Sequence, residues 1–368
     1  MHRSPVRKKA GLLAQWKGLE LRRKESNRLG LTLLLIALAI CAQPACADER
    51  EQRIDAGVNR AVAWLAKEQQ PSGAWPSESH GDLTAVTSMA VMAFLAAGYV
   101  PEEGPYGRHI SKGVAWILSQ QQSNGLLVGK HRSHGPMYSH GIATLMLAEV
   151  AGMVSGEQAD QCQRALEKAV KLIIDAQNYP KSSQHDGGWR YQPTSGDSDL
   201  SVTAWQLLAL RAAKDIGCDI PSQNIDRAIE YIKRLRVRTT GGFGYMGSSG
   251  ATVTRSGCGI VALEVCGEHR TEETLAAANL ILARQLTIQE SYFFYGAYYC
   301  TVGMYKVGGD EWQTSRPFLY DTILSIQNPT GYWKPIDGSE RGAGSSYATS
   351  MAILALTVEY GYLPIYQR

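Results

Sequence analysis

Residues 169–178 read AVKLIIDAQN, residues 187–189 read GGW, and residues 197–213 read DSDLSVTAWQLLALRAA. From Ala169 to Ala213 this is an amphipathic helix, a loop closed by glycine and an aromatic, and a helix of small and apolar residues. The unit recurs along the chain, and self-similarity of this kind decides architecture before any single residue does. Amphipathic segments start at Ala61, Gly113, Ala169, Ala228, Ala277 and Leu319. Their apolar residues return every three or four positions, as expected of helices with one wet face. Loops marked by Gly73-Ala74-Trp75, Gly125-Leu126-Leu127, Gly187-Gly188-Trp189, Gly241-Gly242-Phe243 and Gly331-Tyr332-Trp333 follow all but one of them. The second helices start at Leu83, Ser139, Leu200, Thr252, Phe293 and Ser345, and are rich in Ala, Gly, Ser and Thr with few charges. A helix apolar on most faces belongs inside.

Six pairs of one outer and one inner helix predict an all-α fold, an α/α toroid over 54–368. Thr87-Ser88-Met89-Ala90 nearly coincides with Thr349-Ser350-Met351-Ala352. Terminal copies of an open array are usually atypical, so this likeness points to a closed ring.

Charge separates the N-terminus from the rest. Nine of the 37 Lys and Arg and two of the 34 Asp and Glu lie up to Ala47, leaving 28 basic and 32 acidic residues beyond it. The body is mildly acidic with no basic stripe, which argues against nucleic acid as a partner. Residues 1–47 combine a basic start, an apolar run from Leu29 to Ala42 and Ala45-Cys46-Ala47. That is the pattern of a secretory signal, and export is expected. The run is shorter than the ~20 residues of a membrane span; retention as an N-terminal anchor, with membrane association, is the alternative. Five cysteines remain beyond Ala47, in no C-x-x-C pattern, and read as buried small apolar residues.

Arg60-Ala61, Trp64-Leu65, Gln69, Gly73 and Trp75 reproduce the QW repeat of terpenoid cyclases. Lys112-Gly113, Trp116-Ile117, Gln121 and Gly125 fit until Leu127 replaces tryptophan. Lys168-Ala169, Leu172-Ile173, Gln177, Gly187 and Trp189 fit with a longer loop. Gln327, Gly331 and Trp333 keep the end of the pattern, and Arg236 stands where the fourth glutamine belongs. The chain therefore resembles the squalene–hopene cyclase and protein prenyltransferase β-subunit superfamily, whose members are α/α toroids.

Parallel inner helices gather their N-termini, with their partial positive charge, at one mouth of the ring. Aligned by small residues, they bring Thr87, His140, Thr203, Ser256, Ala297 and Thr349 to one level, and Asp199 lies one turn earlier. The resemblance implies a proton donor within an Asp-x-Asp-Asp motif. Asp197-Ser198-Asp199-Leu200 is similar, with Asp199 at the donor position and leucine in place of the last aspartate. Asp199 is equally a good helix N-cap. Asp199 and Asp197 are the candidate catalytic residues. His140, Trp205, Tyr295, Tyr298 and Tyr299 are the candidate ligand contacts, since aromatic rings stabilise cations or stack on sugars; the alternative for the rings of the fifth repeat is that they fill the core. A prenyltransferase zinc site would need Asp-x-Cys; the one instance, Asp160-Gln161-Cys162, reads as chance on the rim. No metal and no cofactor are expected. Three functions fit: a toroid binding a hydrophobic or extended ligand with acid-dependent, cyclase-like chemistry; a non-catalytic extracytoplasmic binding or scaffold protein; or a polysaccharide-active toroid.

Overall fold

In the computed structural model the described residues are 49–130 and 135–367, so the leader lies outside them. Residues 49–55 are helical and belong to a separate unit. The ring is built from residue 56 onward.

Its outer helices are α1 (56–68), α3 (Gly107–Ser119), α5 (Gly156–Gln177), α7 (Ser222–Arg234), α9 (Glu272–Arg284) and α11 (Gly309–Ser325). The inner ones are α2 (Thr84–Ala96), α4 (Pro136–Val150), α6 (Leu200–Asp215), α8 (Val253–Glu264), α10 (Phe293–Val307) and α13 (Gly344–Leu356). A short α12 (Gly338–Arg341) and two 3-10 turns, Val358–Tyr360 and Pro364–Tyr366, complete the chain. Among the described residues there is no β-strand, only four isolated bridges. Each inner helix packs on the next, and α13 returns to α2. The fold is the closed α/α toroid that the repeats predict.

The repeat residues explain the closure. Gln69, Gln121, Gln177 and Gln327 each donate from Nε2 to the carbonyl of their own loop glycine, at 2.7–3.1 Å. Each also donates to a carbonyl of the next outer helix: His109, Ala165, Asn224 and, across the seam, Gly57. One amide thus ties every such hairpin to its neighbour. Arg236 reaches the next repeat by charge instead, 2.7 Å from Glu272. The loop aromatics Trp75, Trp189, Phe243 and Trp333 are buried, and the three tryptophans donate from the indole to Leu65, Ile173 and Ile323 of the outer helix behind. Their backbone N–H groups donate to Thr87 and Thr203 in the first turn of α2 and α6, and to Thr349, further along α13. The same bond to a small hydroxyl ties loop to inner helix in these three repeats.

Every outer helix begins before the segment expected for it, α5 thirteen residues before Ala169 and α11 ten before Leu319, at Gly309, with Pro317 inside it. Asp160-Gln161-Cys162 lies within α5 instead of preceding an outer helix. Residues two apart on a helix face different ways, so Cys162 is buried while Asp160 is exposed.

Candidate functional site

The site forms at the mouth where the inner helices start. Asp199 is the N-cap of α6, and its Oδ1 accepts from the Val202 amide at 2.9 Å. Two backbone bonds seat it: Asp199 N donates to Trp189 O at 3.0 Å, and Leu200 N donates to Tyr245 O at 2.9 Å. The fourth loop is thereby drawn over the third, and the Asp199 side chain is fully buried.

Arg190 follows Trp189 and gathers the acids. Its Nε lies 3.6 Å from Oδ2 of both Asp197 and Asp199. Its guanidinium sits over Tyr191, 4.4 Å from the ring centroid, and 5.5 Å from that of Tyr245. The Tyr191 and Tyr245 hydroxyls are 2.8 Å apart, and the Arg255 guanidinium is 5.4 Å from the Tyr245 ring centroid. Tyr138 of α4 stands beside Tyr191 with centroids 5.9 Å apart. These tyrosines are half-buried and wall the mouth.

Burial pushes the Asp199 carboxyl up to about 6, opposed by the Val202 amide, the Arg190 charge, the Ser201 amide and the Tyr245 phenol. Desolvation outweighs the hydrogen bonds and the cation because the guanidinium is offset instead of paired head-on. An acid in this range passes between proton donor and anion near neutral pH.

Below the mouth lies an aromatic cluster. Trp205 of α6 stacks on Tyr298 of α10 at 5.6 Å and 10°, with Tyr299 edge-on at 5.4 Å. Helices α6 and α10 are separated by α8, so these rings meet across the interior and fill it at that level. Tyr366, from the C-terminal turn, adds its hydroxyl to that of Tyr298 at 3.0 Å. Tyr295 is half-buried nearer the mouth, its hydroxyl 3.3 Å from Cys258 Sγ.

The structure thus brings Asp197 and Asp199 together through Arg190, and Trp205, Tyr295, Tyr298 and Tyr299 into one cluster. His140 stands apart. Its Nδ1 accepts from the Leu127 amide at 3.0 Å, and its Nε2 faces Ala169 O at 3.2 Å. That is the place threonine holds in the first, third and sixth repeats. Burial lowers it to about 4, partly offset by the Ala169 carbonyl, so the ring is neutral. Sequence reasoning passed over Arg190, Tyr138, Tyr191 and Tyr245. The available signal was a run of polar aromatics and arginine, Trp189-Arg190-Tyr191, directly after the loop glycines.

A cavity of about 320 Å³ opens at the seam of the sixth and first repeats. Trp64 and Tyr332 stack along it at 4.9 Å, and Glu68 and Glu78 line it. Among the described residues no group of three His, Cys, Asp or Glu side chains is placed to hold a metal ion, and no helix is long and apolar enough to cross a membrane.

The model of the prenyltransferase alpha-alpha toroid domain matches residues 22–181 and 176–293. No curated protein sequence matches the chain. Among solved structures, an inactive variant of an α-1,6-mannanase of Salegentibacter sp. HEL1_6, in complex with α-1,6-mannotriose, is similar at 8% identity and TM-score 0.64, covering 83% of this chain and 98% of that one. The type II terpene cyclase MstE from Scytonema is similar at 16% identity and TM-score 0.53, covering 85% and 99%. Candida albicans protein geranylgeranyltransferase-I, complexed with GGPP, is similar at 12% identity and TM-score 0.52, covering 84% and 92%. At such identities the likeness is one of fold alone.

Proposed function

The chain belongs to the prenyltransferase alpha-alpha toroid domain family, and from that premise we propose that it is an exported toroid that binds an extended ligand at the mouth of its ring and acts on it by proton donation from Asp199. One observation carries the reading. Asp199 is fully buried at the mouth, with one carboxyl oxygen fixed by the Val202 amide and the other making no hydrogen bond within the described residues. A proton on that second oxygen is held for whatever enters. When it leaves, the anion is received by the Val202 amide and the Arg190 charge, which stabilise the conjugate base without moving. Asp197 shares Arg190 and is 43% exposed, so it lies on the solvent side of the same ion pair. Export rests on the basic leader with its apolar run and Ala45-Cys46-Ala47.

The test uses the purified full chain with squalene, geranylgeraniol and neutral oligosaccharides, with products read by mass spectrometry. Turnover of one of them is expected, reduced at least about a hundredfold in Asp199→Asn, the usual scale of a lost general acid. An unaltered rate in that variant ends the proposal.

A second reading has its own observation. The Trp205, Tyr298 and Tyr366 rings occupy the middle of the ring, which suits a toroid that holds a partner at its mouth without transforming it. Native mass spectrometry separates the two: a copurified ligand recovered unchanged, with no Asp199-dependent product, selects the holding role.

A further inference from the structure

The cavity at the seam of the sixth and first repeats is lined by acids, hydroxyls and aromatic rings, and none of the residues lining it is basic. Glu68 and Glu78 are both exposed, and neither makes a hydrogen bond or an ion pair within the described residues. Ser346 also lines it, is 4% exposed, and its hydroxyl makes no hydrogen bond within the described residues. Native proteins leave few buried polar groups unpaired, and each asks for a partner. The wall is Trp64 stacked on Tyr332, with centroids 4.9 Å and planes 22° apart. At the third and fourth loops the residue before the loop aromatic is glycine. A Cβ on Gly188 would lie 2.7 Å from Tyr231, and one on Gly242 would lie 3.0 Å from Leu280. Bare backbone meets the next outer helix there, whereas the seam sets one aromatic ring on another.

We propose that this cavity is a binding site for an organic cation, an ammonium or guanidinium group on a short apolar stem. The signs of the lining decide the chemistry. Two carboxylates on one cavity repel each other, and a positive group between them relieves both. The negative faces of the indole and phenol rings attract the same charge, and their apolar area covers the stem. The Ser346 hydroxyl accepts a hydrogen bond from the cationic head. A phosphate or carboxylate would meet Glu68 and Glu78. The start of α13, which has no side-chain cap at Ala343, brings partial positive charge, but Glu78 already stands against it: a Cβ on Gly344 would lie 3.2 Å from the Glu78 Cβ. A neutral sugar stacks on the rings but leaves the two charges as they were. At about 320 Å³ the cavity lies at the small end of ligand pockets, roughly 300–1,000 Å³, which suits one such group and its stem. The site shares no residue with the one around Asp199 and does not depend on proton donation there.

Calorimetric titration of the full chain with agmatine, and with an acetylated and amidated glycyl-arginyl-glycine, tests the site. Cellobiose and glutarate are the neutral and anionic controls. At least one of the two cations is expected to bind, and neither control. Binding of agmatine alone identifies a free amine as the ligand, and binding of the peptide identifies an arginine side chain; either supports the proposal. Glu68→Gln and Glu78→Gln are each expected to weaken binding roughly tenfold. Both side chains are exposed and unpaired within the described residues, so the melting temperature should stay where it is, which separates lost contact from lost fold. Tyr332→Leu gives the sixth loop the residue that the second carries as Leu126, and is expected to weaken binding roughly threefold through the lost ring. No binding of either cation, or cellobiose binding as tightly, overturns the proposal. So does binding unaltered in Glu68→Gln and Glu78→Gln, or unaltered in Tyr332→Leu, since the cation is then only a loose counter-ion of an acidic surface.

Discussion

At the scale of single residues, His140 shows how one position can be read two ways. Alignment sets it level with Thr87, Thr203 and Thr349, and each of those accepts from the backbone of a loop tryptophan. His140 makes the same bond to Leu127 and spends its other nitrogen on Ala169 O. The alignment was legible in the sequence. That an imidazole stands in for a hydroxyl was not, because ring length and tautomer appear only when both partners are in place. A pH dependence follows. The folded value near 4 lies below the ordinary 6.5, so this group's contribution is full above pH 6.5 and is lost as pH falls toward 4, by a few kcal/mol. Asp199 and Glu149, a buried carboxyl on α4 that accepts from Ile365 N, act oppositely. Burial raises them to about 6 and about 8, so their contributions are full below pH 4 and are lost as pH rises through those values. His140→Thr should keep the Leu127 bond, lose the Ala169 bond, and melt lower at pH 7. The difference in melting temperature between wild type and variant should shrink as pH falls from 6.5 to 4. A constant difference would mean that His140 does not titrate in the fold.

At the scale of elements, the helix starts carry the lesson. Asp199 and Thr252 cap α6 and α8 from within their own sequence, and such caps can be read in advance. Helix α10 cannot cap itself. Its N-cap Tyr292 has φ 58° and offers no side-chain bond. The cap comes from Glu340 on α12, whose Oε2 accepts from Phe294 N at 3.0 Å and Oε1 from Tyr295 N at 2.9 Å. The Tyr347 hydroxyl donates to the same carboxylate at 3.1 Å. A carboxylate at a helix start also meets the helix dipole favourably. A partner some 45 residues away leaves no periodic trace, so the sequence shows the fifth repeat only as a degenerate one. Pro317 hides the start of α11 for a similar reason: proline normally ends a helix, yet here α11 runs through it. Glu340→Ala would leave two amides without acceptors in a buried place, a loss of about 2–4 kcal/mol. Glu340→Gln keeps one acceptor and should fall between. Thermal melts rank the three proteins, and near-ultraviolet circular dichroism reports Tyr295, which moves with the helix start. An alanine variant as stable as wild type would show that α10 needs no cap from α12.

At the scale of the whole molecule, the question is whether the sixth repeat meets the first as firmly as any repeat meets the next. The matching Thr-Ser-Met-Ala segments of α2 and α13 made closure legible, and those helices do pack together. That the aromatics of the fifth repeat can fill the interior was legible, but not that Tyr366 joins them, since it reaches Tyr298 from a tail with no repeat pattern. Closure makes an energetic demand. In an open array a terminal junction supports only its own unit, and stability adds up unit by unit. In a closed ring the seam is one junction among equals. Gly73 and Gly331 allow a matched comparison. They have φ +97° and +110°, and a Cβ on either would lie 2.5 Å from a carbonyl of the next outer helix, Lys112 O and Arg60 O. Positive φ alone costs an alanine about 1–2 kcal/mol, and the close carbonyl adds to it. Gly73→Ala and Gly331→Ala should therefore lower the melting temperature by similar amounts, each in a single transition. Were the seam open in solution, Gly331→Ala would be the milder change, because the sixth repeat could swing away from Arg60 and relieve the clash while the other five stayed packed.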